Sequence, residues 1–118
     1  MKRCLTTLRR IILPIVALAT TPLAAGPLAG VSADVILLGE IHDNPTHHAV
    51  QAEAVADLAP AALVFEMLTP SQADQVTDDL RGDAAALADA LDWDASGWPD
   101  FAMYHPIFTA APEARVYG

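Results

Sequence analysis

Two short apolar runs, set a helix's length apart, constrain this chain most. Val35-Ile36-Leu37-Leu38 is continuous and aliphatic and is ended by Gly39; Ala61-Ala62-Leu63-Val64-Phe65 is the second. Runs this short, bounded by turn formers, read as buried strands. Between them Asn44-Pro45 opens a helix, because Asn caps free backbone N–H groups and Pro suits the first helical position. That helix reaches about Leu58. A strand, a helix and a strand joined by such a crossover form a βαβ unit, which builds right-handed parallel sheets. The fold class is therefore α/β.

Further along, Thr69-Pro70-Ser71-Gln72 carries a capping box and starts a second helix, which Gly82-Asp83 breaks. Ala84 to Leu91 reads as a third, short helix. Trp98 to Ala110 reads as helical with a kink at Pro106, and Ala114 to Tyr117 begins a third strand. Three strands make a small parallel sheet, and such sheets need both faces covered. The expectation is a parallel sheet built from βαβ units with flanking helices, apparently truncated, as the N-terminal part of a longer fold.

The first 25 residues read as a secretory signal peptide. MKRCLTTLRR carries four positive charges and no acid, IILPIVALA is apolar, and small residues follow. The apolar run is shorter than the roughly 20 residues a bilayer span needs. Cleavage after Ala25 leaves a single domain, residues 26–118, destined for the periplasm or secretion. The only cysteine, Cys4, precedes the apolar run, so it does not serve as a lipid anchor, and the mature part has no thiol for disulfides or metal. Only Arg81 and Arg115 then stand against 15 acids. That balance excludes nucleic acid and anionic membranes as partners and suits cations or metal ions.

In open parallel sheets, ligands bind beyond the carboxyl ends of the strands. Here the first run ends at Gly39-Glu40, with His42 and Asp43 on the following loop. The second ends at Phe65-Glu66, and the first helical turn carries His47 and His48. Two Glu, an Asp and three of the four His converge on one edge. Spacings of three and four put His47, Val50, Ala54 and Leu58 on one helical face, which directs His47 to the sheet; His48 lies about 100° further round. Such donors suit a divalent metal, a haem iron or acid–base chemistry. Structural readings stand beside these: Glu40 in an ion pair, His47 satisfied at the helix start, Asp43 as a cap. Trp93, Trp98, Phe101, Tyr104 and Phe108 read as core, or as a flat wall for a planar ligand. Tyr104-His105 adds an oxygen and a nitrogen that suit iron or a propionate.

LLGEIHDNPTHHAVQ, then LVFEM, then Trp93, Trp98 and Tyr104 resemble the ChaN-like haem-binding proteins. Their superfamily also holds the Tiki metalloproteases and the erythromycin esterases. The superfamily signature is matched by Gly39-Glu40-Ile41-His42 and by Glu66; the Asp-Asn-Pro and His-pair motif is specific to the ChaN-like branch. The resemblance covers nearly all of the mature chain and about the first half of a typical family domain. It implies a periplasmic or surface protein of iron acquisition that binds haem, held in the family as a cofacial pair at a homodimer interface, with tyrosine on the iron and a partner histidine nearby. Tyr104 is the better of two tyrosine candidates, with His47 and His48 beside it. The lipid anchor of the characterised family type is not matched here.

Two functions follow. One is an exported haem- or iron-binding protein, with the ligand at the C-terminal edge of the sheet. The alternative is a metal-dependent hydrolase in which Glu40, His42 and Glu66 hold a divalent metal or activate water. A non-functional fragment is a third reading.

Overall fold

The structure, a computed structural model, describes residues 26–118; the leader lies outside the described residues. The sequence motifs account for the longest helix, α1 (Pro45–Leu58). The Asn44 side chain accepts from the N–H groups of Thr46 and His47, and Pro45 occupies the first turn. The helix ends on Ala59, whose φ of 42° is left-handed and whose N–H returns to the Val55 carbonyl. β1 (Ala62–Val64) follows. Five short helices then lead to β2 (Arg115–Tyr117): α2 (Pro70–Ala73), α3 (Asp78–Arg81), α4 (Ala84–Ala90), α5 (Trp93–Ser96) and α6 (Phe101–Ala110).

The two strands are parallel, with Ala62, Leu63 and Val64 opposite Arg115, Val116 and Tyr117. The architecture is mixed α/β around a two-stranded parallel sheet. Burial alternates along each strand. Leu63, Phe65 and Val116 face inwards, while Ala62, Val64, Arg115 and Tyr117 face out. The inner face packs with α1 and α6, and Phe65 stacks flat on Phe108 at 4.2 Å between ring centroids. Leu87, Leu91, Trp93, Phe101 and Tyr104 complete the core, so the aromatic cluster is buried except for the half-buried Trp98.

Arg81 is the one buried cation among the described residues. Its guanidinium donates to the carbonyls of Ala111 and Ala114 at 2.9 Å, and more weakly to that of Phe108. Those carbonyls lie at and beyond the end of α6, where no helical partner remains for them. One side chain thus ties α3 to the segment that leads into β2.

Several expectations are corrected. Residues 35–38 form no strand. The Leu38 carbonyl instead accepts from the Gln51 side chain at 3.1 Å, which holds this segment on α1 and away from β1. A strand exists only as part of a hydrogen-bonded ladder, so its apolar residues stay in solvent, Val35 at 76% and Leu37 at 90% exposure. The helix expected from Pro70 to Arg81 is broken in two, with Thr77 extended before α3. The β-branched pair Val76-Thr77 favours that break. Trp98 lies before α6, which starts after the Asp100 cap and runs through Pro106. The buried face of α1 carries His48, Ala54 and Val55, while Val50 is exposed, so His48 and not His47 turns inward.

Candidate functional site

The site grows from the carboxylate of Glu40. This side chain is only 9% exposed, and its two oxygens address two histidines. Oε1 accepts from Nδ1 of His42 at 3.0 Å. Oε2 lies 3.0 Å from Nδ1 of His48, close enough for an ion pair but out of line for a hydrogen bond. The other nitrogen of His48, Nε2, donates to the His42 carbonyl at 2.8 Å. The Tyr104 hydroxyl donates to the same carbonyl at 3.1 Å, so both of its lone pairs are used. The His48 and Tyr104 rings lie 4.2 Å apart, with Trp93 behind Tyr104.

This network fixes the backbone of His42 and one side of its ring. An ionised Glu40 can only accept, so Nδ1 of His42 carries a proton, and in the neutral ring Nε2 then holds the free lone pair. Nε2 has no hydrogen-bond partner among the described residues, and the side chain is 43% exposed. Trp98 stands edge-on to the His42 ring at 4.8 Å. Trp98 is one of the aromatics singled out from the sequence, but neither its contact with His42 nor the hub role of the His42 carbonyl was legible, because a contact between residues this far apart leaves no mark on spacing.

Burial is the first cause that pushes the Tyr104 hydroxyl from its ordinary value near 10 up to about 12. The negative charge and acceptor oxygen of Glu40 add to it, and Asp43 and Glu66 contribute further. These carboxylates therefore concentrate negative potential around Tyr104. Tyr104 is fully buried and protonated at neutral pH.

Next to His42 opens a groove of about 480 Å³. Leu37, Leu38 and Gly39 line one wall and Leu63, Val64 and Phe65 the other, with Glu40, His42 and Glu66 among the remaining residues. Glu66 thus shares the groove with Glu40 and His42. Even so, among the described residues no three His, Cys, Asp or Glu side chains group closely enough to hold a metal ion, so the divalent-metal expectation finds no support. His47 stands apart from the network and accepts from the Ile41 N–H at 2.9 Å. His105 is half-buried and bonded to the Arg81 carbonyl at 2.9 Å.

Comparison with known proteins gives the family. The family model described as "Haem-binding uptake, Tiki superfamily, ChaN" matches residues 30–117, and the chain belongs to that family. No curated protein and no solved structure matches it.

Proposed function

We propose that this protein binds haem at the Glu40–His42 edge, with Nε2 of His42 as the donor to iron. One observation carries the reading: a half-exposed imidazole whose Nδ1–H is held by a buried carboxylate and whose Nε2 is unengaged. Histidines that ligate metals almost always donate their other ring N–H to a carboxylate or carbonyl, which fixes the ring and raises its basicity. The surroundings suit the group. The groove beside His42 has apolar walls, as a porphyrin face requires, and Trp98 adds an aromatic edge. Haem, when bound, would supply an iron that takes a nitrogen donor, and His42 would hold it.

In this reading His48 and Tyr104 position His42 by holding its carbonyl and the Glu40 carboxylate. Tyr104, buried and protonated, serves that role here in place of direct ligation, and His47 braces the loop through Ile41. Glu40 and Glu66 make the rim acidic, which would disfavour the negatively charged groups of a ligand beside them. The basic, apolar and small-residue order of residues 1–25 supports export to the periplasm or beyond, and the family's description as haem-binding uptake supports a role in iron acquisition. The hydrolase reading lacks a grouped donor set for its metal and is not favoured.

A haem titration of the purified protein tests the proposal. The expected result is a saturable, red-shifted Soret band at one haem per chain. A linear, unsaturable change at every ratio refutes it.

A further inference from the structure

We infer that Trp98 is a positioning residue: its indole fixes the plane of the His42 imidazole, while Glu40 fixes which ring nitrogen faces out. This rests on the haem reading above, in which Nε2 of His42 meets the iron. The Nδ1–H of His42 is held by Glu40 at 3.0 Å, but the side chain is 43% exposed, so that one bond leaves the ring free to tilt about it. The second contact is Trp98, whose ring meets that of His42 at 4.8 Å between centroids and 73° between planes. That is the edge-to-face arrangement aromatic rings prefer. His42 lines the groove and Trp98 does not. The indole therefore supports the imidazole from outside the groove.

The loop that carries Trp98 is held on both sides. Gly97 ends α5 with a φ of 80°, in the left-handed region that suits glycine. The Trp98 N–H donates to Ser96 Oγ at 3.2 Å, and Ser96 Oγ donates to the Trp93 carbonyl. On the far side, the Trp93 indole N–H donates to the Pro99 carbonyl at 2.7 Å. Pro99 also disfavours helical backbone at Trp98, the residue before it. Both flanks of Trp98 are thus tied to Trp93, which is 2% exposed and lies 5.0 Å from the Tyr104 ring. Tyr104 in turn donates to the His42 carbonyl. Trp93 therefore braces His42 by two routes, through Tyr104 to its backbone and through the 96–99 loop to its ring. Trp98 itself is half-buried at the margin of the core, so its replacement leaves the fully buried aromatics in place.

Trp98→Ala and Trp98→Phe test this in the haem-free and the haem-loaded protein. Without haem, carbon NMR relaxation of the His42 ring should show an ordered ring in wild type, a more mobile one in Trp98→Ala and restored order in Trp98→Phe, with Tyr104 signals unchanged throughout. In the ferric haem complex, the electron paramagnetic resonance g values report the orientation of the imidazole plane. Trp98→Ala should keep a histidine-ligated haem but shift and broaden those values, and should weaken haem binding by about two- to tenfold, the worth of one aromatic pair. Trp98→Phe, which keeps an aromatic ring on His42, should return both toward wild type. Unchanged ring order or unchanged g values in Trp98→Ala overturn the inference, and so does a phenylalanine variant that behaves like the alanine one. If the wild type takes no haem, the haem reading itself fails, and the haem-free relaxation alone decides whether Trp98 fixes the ring.

Discussion

Replacing Glu40 separates its charge from its hydrogen-bonding shape. In Glu40→Ala, His48 keeps its bond to the His42 carbonyl but loses the acid beside Nδ1, while it stays 1% exposed. Leaving a buried polar group without its partner costs about 1–3 kcal/mol. The poor alignment at Nδ1 places this pair near the lower figure. His42 is half-exposed, so its lost bond adds at most about 1 kcal/mol. Glu40→Gln behaves differently. The amide oxygen still accepts from Nδ1 of His42, and the amide NH2 can donate to Nδ1 of a neutral His48 whose proton sits on Nε2. Both contacts survive, and the expected cost is about 1 kcal/mol. Urea denaturation, with slopes compared to exclude a change in the unfolded state, measures both. If Glu40→Ala is as stable as wild type, or if the glutamine variant loses as much as the alanine variant, Glu40 does not organise this site.

Core and pH dependence offer further checks. Phe108→Ala removes a fully buried ring stacked on Phe65 and should cost about 3–5 kcal/mol by denaturant titration. Arg81→Ala removes the side-chain donor of the Ala114 carbonyl and one of the two donors of the Ala111 carbonyl, and should destabilise by about 2–3 kcal/mol, whereas loss at an exposed arginine has little effect. The raised Tyr104 hydroxyl favours the folded state only while it is protonated. Its contribution is complete below the ordinary tyrosine value near 10 and is lost as pH rises to about 12. Stability of the wild type should fall across that window, and Tyr104→Phe should remove that part of the fall.

Local chemistry was the legible part of the fold. Asn44-Pro45 and Thr69 with Gln72 fixed two helix starts, because caps depend on residues that are neighbours in sequence. The runs ending in Phe65 and Tyr117 gave both strands of the parallel pair. Val35–Leu38 has the composition of a strand, but composition does not say whether a partner edge lies within reach; Gln51 holds the segment off β1. The buried face of α1 was misread because Ala49, Ala52, Ala54 and Ala56 spread small apolar residues around the helix and blur its stripe. The sequence brought Glu40, His42 and His48 to one edge, and Glu66 into the same groove. It offered His47 as satisfied at the helix start, which the bond from the Ile41 N–H matches. It did not show that Glu40 addresses both His42 and His48, a local contact set by ring orientation, which spacing does not fix. Nor did it show that Tyr104 reaches the His42 carbonyl or that His105 is bonded to the Arg81 carbonyl; those contacts are long-range, and single-residue identity carries no trace of them.

The central claim is that Nε2 of His42 carries the haem iron. Absorption and resonance Raman spectra of the haem-loaded His42→Ala protein, recorded with and without added imidazole and alongside His47→Ala, test it most directly. The account predicts that His42→Ala loses the histidine-ligated spectrum, that imidazole restores it, and that His47→Ala matches wild type. A His42→Ala protein whose spectrum and haem affinity equal those of wild type contradicts it.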